Sequence, residues 1–334
     1  MTARAARNPA TLHDVAREAG VSLITASRAL SNPGLVSEKT IARVQQAVDA
    51  TGYIPNLVAG GLKSKRSLMV AAVVPHISVA QFLPTLEALT ESLADAGYQL
   101  ILGQHGYDDA REAAIINTMI GRRPDGIVVT GLVQSQQSRD RLKRLGIPVV
   151  ETWDLSDRPI DMVVGFSHLK VGSAVAGYFL GKGWRRFGIA TADDHRAALR
   201  REGFLSAVGH DVPTAVVPAP SNMAVGRQAL GALLRQDESI EAIFCSSDQL
   251  AQGVIVEAQA RGLRIPDDLA ICGFGSADFA AHMVPSLTTV QVDGAAIGTI
   301  AARLILERCG GLTVNAPIVD IGFRIDERQS TKRA

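Results

Sequence analysis

The chain of 334 residues has few aromatics, 4% of the total, and only three cysteines. Cys245, Cys272 and Cys309 are far apart and form no CxxC pair. That spacing excludes a disulfide framework and a thiolate zinc site, leaving small buried hydrophobes of a reducing cytoplasm as the reading. No apolar run approaches the roughly 18 residues of a membrane span, so no membrane partner is expected. The stretch Met1–Pro9 has no apolar core, which argues against a secretory signal. Signatures of catalysis are missing as well. Gly273-Phe274-Gly275-Ser276 lacks the third glycine of a dinucleotide site, because position 278 is Asp. In Gly165-Phe166-Ser167-His168-Leu169 the final glycine of a nucleophile elbow is absent. No Walker loop occurs, and the seven histidines never fall into HExxH spacing. The sequence therefore predicts no enzyme, no cofactor and no metal site. What is present is a globular composition, 47% hydrophobic, with 34 Lys+Arg against 33 Asp+Glu. The length exceeds what one core usually holds, so several units are expected.

The near-zero net charge hides an asymmetry. Residues 1–66 hold nine basic side chains and four acidic ones, so the remainder is mildly acidic. A basic head on an acidic body suits a polyanion partner. Within the head, Thr11-Leu12-His13-Asp14 reads as a capping box opening a helix with Leu12, Val15, Ala16 and Ala19 on one face. Gly20 ends it, the usual left-handed terminator. Ser22 then caps a second helix through Leu30, and Ser37 caps a third with Ile41, Val44 and Val48 at helical spacing, ended by Gly52. Two helices about a glycine turn, buried by a third, make a helix-turn-helix unit, although periodicity alone also fits an ordinary small helical bundle.

The same residues resemble the headpiece of the lactose-repressor (LacI/GalR) family. The match runs through Thr11–Ala16, Ala19-Gly20-Val21-Ser22, Thr25–Leu30, Val36–Thr40 and Gly52-Tyr53-Ile54-Pro55-Asn56, in order and in register. The resemblance implies a homodimer binding a double-stranded, pseudo-palindromic operator, with the helix from Ser22 in the major groove. Leu23 and Ile24 would meet base edges by shape or a thymine methyl, and Arg28 has the fork that suits guanine O6 and N7. Leu12, Ser22, Thr25, Ser27, Ser37, Thr40 and Tyr53 are the remaining expected head contacts, the hydroxyls serving phosphate positioning or helix capping. In the linker, residues 55–67, the family pattern places a hinge helix with Asn56, Ala59 and a minor-groove wedge at Leu62. Gly60-Gly61 departs from it, since each glycine costs about 1 kcal/mol relative to Ala in a helix. The hinge is expected to be unfolded away from DNA.

From Leu68 the pattern alternates. Short apolar runs (Leu68–Val74, Tyr98–Leu102, Ile127–Thr130, Val149–Thr152, Phe187–Thr191, Ala242–Cys245, Leu269–Phe274) are separated by helical stretches at 82–96, 110–121, 168–182, 223–235 and 248–261. That is the signature of a parallel α/β body with a cleft beside the strand ends. The family resemblance continues through Pro124–Ile127, Phe166-Ser167-His168, Arg200-x-x-Gly203-Phe204, Ser247–Ala251 and Ser286–Val290. It implies a periplasmic-binding-protein-like body of two parallel-sheet subdomains behind a small all-α headpiece. The expected boundaries are 1–54 for the headpiece, 55–67 for the hinge, 68–166 with 293–318 for one subdomain, and 167–292 with 319–334 for the other.

For the cleft, the resemblance implies a small-molecule effector reached by Arg200. Arg196 lies one helical turn earlier, so both guanidiniums share a helix face. Many relatives carry an acidic residue where this chain has Gly275. Two forks and one carboxylate fewer favour an anionic ligand held bidentately. Phe82, Trp153 and Phe166 are candidates to face the ligand or to sit in the core. Glu151, Asp154, Ser247 and Asp248 are candidates for its hydroxyls. The combination looks most like the gluconate-operon repressor subgroup, so gluconate or a related sugar acid is the expected effector. A neutral sugar, a phosphorylated sugar or a purine remain alternatives. The expectation is thus a cytoplasmic repressor whose operator affinity falls when ligand binds. A transport receptor sharing the body fold would need an export signal and no basic head.

Overall fold

The computed structural model describes residues 10–54 and 66–332. It divides into two units, Met1–Ser67 and Leu68–Ala334. The proposed hinge contacts Asn56, Ala59 and Leu62 lie outside the described residues.

The head is built from helices α1 (Leu12–Glu18), α2 (Leu23–Ser31) and α3 (Glu38–Thr51). At the start of α1 the Asp14 carboxylate accepts from the backbone N–H and the hydroxyl of Thr11, at 2.9 and 2.7 Å. Ser22 and Ser37 accept from the amides of Thr25 and Thr40, capping α2 and α3. Gly20 turns the chain at φ +60°, and Arg43 on α3 donates to the carbonyls of Ala19 and Gly20. That guanidinium holds the turn at a fixed angle to α3. Val15, Ala19, Ala29, Val44 and Ala47 form the core, with Leu30, Ile41, Val48 and Tyr53 packed around it.

The body strands are β1 (Met69–Val74), β2 (Gln99–Gln104), β3 (Gly126–Thr130), β4 (Val149–Thr152), β5 (Met162–Gly165), β6 (Phe187–Ala192), β7 (Thr214–Val217), β8 (Ala242–Cys245), β9 (Ala270–Phe274), β10 (Thr288–Gln291), β11 (Ile318–Asp320) and β12 (Arg324–Asp326). Between them run α4 (Leu83–Asp95), α5 (Asp109–Gly121), α6 (Gln136–Leu145), α7 (His168–Gly181), α8 (His195–Val208), α9 (Met223–Gln236), α10 (Asp248–Ala260), α11 (Asp278–His282) and α12 (Gly294–Cys309). One sheet has the order β11-β5-β4-β3-β1-β2, the other β12-β10-β9-β8-β6-β7. Every pairing is parallel except β10 with β12. The central strands β3, β4, β8 and β9 are buried along their whole length, as helices on both faces require.

The chain passes between the sheets three times: after β5, after β10 and after β11. Because β11 is hydrogen-bonded to β5 through Asp320, the third passage comes two residues later than the expected boundary at 318. Among the described residues, no helix is long and apolar enough to cross a membrane.

Candidate functional site

In the head, α2 presents a short exposed face. Leu23 is 37% and Ile24 64% exposed, and Arg28 is exposed one turn later, while Ala26 and Ala29 turn inward. Large apolar side chains left in water at a helix start are costly unless a partner covers them. The hydroxyls of Ser22 and Thr25 bond each other at 2.8 Å, and those of Ser37 and Thr40 at 2.9 Å. Each pair sits at a helix N-terminus, where free backbone N–H groups favour a phosphate. Ser27 is half-buried beside them. Leu12 is half-buried outside the core cluster, and Tyr53 packs against that cluster.

In the body, the C-terminal ends of strands from both sheets frame a cleft of about 430 Å³, open solvent included. Val79, Gln81 and Tyr107 line it from the first sheet's side. From the second come Asp194, Arg196 and Arg200 of the β6–α8 corner, with Ser221, Ser246, Ser247 and Gln249. The expected pairing of Arg196 with Arg200 on one helix face is observed. Asp194 caps α8 by accepting from Ala197. Gly172 and Gly203 let α7 and α8 touch backbone to backbone, since a Cβ on Gly172 would strike the carbonyl of Arg200. This contact fixes the helix that carries both arginines.

Arg200 is buried and stacks on Phe274 at 4.0 Å from guanidinium to ring centre. It donates to His168 Nδ1 and to the carbonyl of Ser246, both at 2.9 Å. Burial, with the nearby charge of Arg196, lowers its pKa to about 10. Arg196 lies over the Phe82 ring at 5.1 Å. Its Nη1 and the Nε of Arg200 are buried without hydrogen-bond partners. Asp154 accepts from the Leu155 amide through Oδ1, leaving Oδ2 unpartnered. Burial pushes its carboxyl pKa up, against the pull of Arg196 and Arg200.

A chain of hydrogen bonds links this site to the passages between the sheets. The Arg200 bond to His168 Nδ1 requires a lone pair there, so Nε2 carries the proton and donates to the carbonyl of Trp153 at 2.9 Å. Trp153 Nε1 donates to Thr85, and Thr85 to the carbonyl of Gly294, the first residue of α12. His168 is held neutral, its pKa lowered well below the usual value first by burial and then by Arg200.

Several candidate effector residues fall elsewhere. Glu151 shares its face of β4 with Val149, away from the cleft. Its carboxylate is fully used by the amides of Val133 and Ile160 and by Arg139 at 2.9 Å. Asp248 accepts from Thr289 and from the Ala277 amide, pinning the loop after β9 to α10. Trp153 and Phe166 are buried in the core, 1% and 0% exposed. Phe82 is buried too, and touches the site only by supporting Arg196. Gly275 is at φ +120°, and the space of a side chain there is filled by Gln81. Ser247 does line the cleft, its hydroxyl 2.8 Å from that of Ser221.

The sequence reading missed Gln81, Tyr107, Ser221, Ser246 and Gln249. Position just beyond a parallel strand's C-terminal end was the available signal, since that is where open α/β sheets bind ligands. Tyr107 and Trp153 both have φ +61°, a strained setting for large residues that concentrates at functional sites.

A family model described as "Bacterial regulatory proteins, lacI family" matches residues 11–56, and one described as "Periplasmic binding protein-like domain" matches 176–331. The chain is 34% identical over 330 residues to the HTH-type transcriptional regulator GntR of Pseudomonas aeruginosa, covering 96% of this chain and 95% of that one. Its structure is similar to that of a LacI-family transcriptional regulator from Silicibacter pomeroyi, with TM-score 0.92 and 32% identity over 97% of this chain and 100% of the other. The Lac repressor dimer bound to operator and the anti-inducer ONPF shares the fold, with TM-score 0.83 and 21% identity over 97% and 99% of the two chains.

Proposed function

Because the chain belongs to the LacI family of bacterial regulatory proteins, we propose that its cleft senses an anionic, hydroxyl-rich acid, gluconate or a close relative, and that binding releases the operator. The chain is a sequence-specific transcriptional repressor of that family and not an enzyme. The observation that carries the effector reading is the pair of buried guanidiniums with unpartnered nitrogens, Arg196 Nη1 and Arg200 Nε. A buried donor without a partner costs about 1–3 kcal/mol, and a carboxylate meets two forks bidentately. The free Oδ2 of Asp154 suits a ligand hydroxyl. Similarity to a regulator named GntR agrees with the subgroup resemblance.

The same reading gives a homodimer in the bacterial cytoplasm whose heads occupy two half-sites; the similarly folded Lac repressor binds its operator as a dimer. Arg28 reads a base edge, Leu23 and Ile24 pack against the groove floor, and the caps of α2 and α3 meet phosphates. Coupling follows if ligand and operator prefer different arrangements of the body. Calorimetric titration of the full chain with D-gluconate, 6-phosphogluconate and glucose tests the effector. Saturable binding of gluconate but not glucose, lost in Arg196→Ala, is the expected result. Binding of glucose alone overturns the acid reading.

A further inference from the structure

Behind Tyr107 of the cleft, outside its lining residues, lies a polar pair whose hydrogen bonding is incomplete. His105, just past the end of β2, and Glu112, on α5, are 6% and 4% exposed. Both ring nitrogens of His105 and Oε1 of Glu112 are buried without a well-formed hydrogen bond; the polar groups that approach the pair are the backbone of Asp108 at His105 and that of Gln134 at Glu112. His105 Nε2 stands 3.8 Å from Glu112 Oε2, too far for a good hydrogen bond. Both groups feel the charge of Arg196, and Tyr107, two residues from His105, lines the cleft. Buried polar groups with unmet hydrogen bonds call for a partner that the chain itself does not supply, a ligand or a water.

We propose that His105 and Glu112 form a second recognition point of the cleft, taking hydroxyl groups of the effector's carbon chain while Arg196 and Arg200 hold its carboxylate. The inference rests on the acid reading of the cleft and adds the specificity for a long polyol chain. One oxygen placed between atoms 3.8 Å apart reaches both at about 2.8 Å, the length of a hydroxyl hydrogen bond. A hydroxyl both donates and accepts, and so do a neutral imidazole and a protonated carboxyl. Burial favours those neutral forms: the Glu112 pKa is raised to about 7, first by burial, and that of His105 is lowered by the same cause. Two guanidiniums alone would hold any small carboxylate equally well. The pair supplies what separates a polyhydroxylated chain from a short one.

The test is titration of the full chain and of its His105→Leu, Glu112→Met and Glu112→Gln variants with D-gluconate, the four-carbon acid threonate and the three-carbon acid glycerate. Wild type is expected to prefer gluconate over glycerate by about tenfold, as one or two neutral hydrogen bonds supply. In His105→Leu and Glu112→Met the ratio falls towards one, and Glu112→Gln restores part of it. A ratio unchanged in both apolar variants means that the pair serves only water, and overturns the proposal alone. Equal loss for long and short acids gives the pair a structural role and also overturns it. A wild-type chain that binds none of the three acids removes the acid reading, and this subsite with it. Thermal melts add an independent check. Apolar replacement of an unpartnered pair holds or raises Tm, whereas a pair that supports the fold would lower it.

Discussion

Arg196 acts on more of the site's shifted groups than any other side chain does. Its charge acts on His105, Glu112, Asp154, His168 and Arg200, each already shifted by burial. Glu112 makes this measurable. Its folded pKa of about 7 lies above the ordinary 4.5, so the native chain keeps a proton that the unfolded chain releases. Its contribution to stability therefore declines as pH rises through that window, and the loss is complete above it. At about 1.4 kcal/mol per pK unit the decline reaches at most about 3 kcal/mol. Asp248, raised to about 6, contributes with the same sign, and His105, lowered by burial, with the opposite sign. Glu112→Gln is expected to flatten or reverse the fall in urea-unfolding free energy between about pH 5 and about pH 8. An unaltered profile would show that Glu112 is ionised normally.

At the scale of elements, β3, β4, β8 and β9 were legible because they are buried on both faces and continuous apolar runs admit little else; the exposed edge strand β2 was read from Tyr98–Leu102 as well, whereas the four-residue β5, though buried, was not. Strands β7, β11 and β12 lie at sheet edges, are partly exposed and carry polar residues, so hydrophobicity does not mark them. The cleft was legible at Arg200 and Ser247 through the family resemblance, and at Arg196 through helix periodicity, since Arg196 and Arg200 share a face whatever surrounds them. On strands the alternation is visible, but which face meets the ligand depends on packing. Glu151 was placed among the hydroxyl candidates for that reason, and Trp153 was left open between ligand and core because a buried indole and a ligand-facing one look alike in sequence. The head was legible almost throughout, since caps, the glycine turn and spacing all lie within α1, α2 and α3.

The α7–α8 contact ties such local detail to the site. A Cβ on Gly203 would collide with the carbonyl of Leu169, so Gly203→Ala is expected to destabilise the body by about 1–3 kcal/mol. It should also weaken effector binding, because α8 carries both arginines. Chemical denaturation and titration of the same variant check the two effects together.

For the whole molecule, the two units separate two kinds of failure. Arg28→Ala is expected to lower affinity for the operator more than for random duplex, by about 1–3 kcal/mol, and to leave effector binding intact. Arg196→Ala should bind operator normally and fail to release it when the acid is added. Fluorescence anisotropy on cognate and random duplexes, with and without gluconate, distinguishes them. Equal losses on both duplexes for Arg28→Ala would remove it as a base reader.

The three passages between the sheets also govern how the body can be made. The first sheet receives its edge strand β11 and its covering helix α12 only after ten strands of both sheets have been synthesised. A chain leaving the ribosome at Gln291 would expose the faces of β4 and β5 that α12 later covers, together with the unpaired edge of β5. Neither half can finish folding as a separate nascent domain, and premature termination in the last forty or so codons would leave an aggregation-prone fragment. A nonsense lesion late in the gene should therefore resemble a full deletion, with intact heads on bodies that quality-control proteases remove.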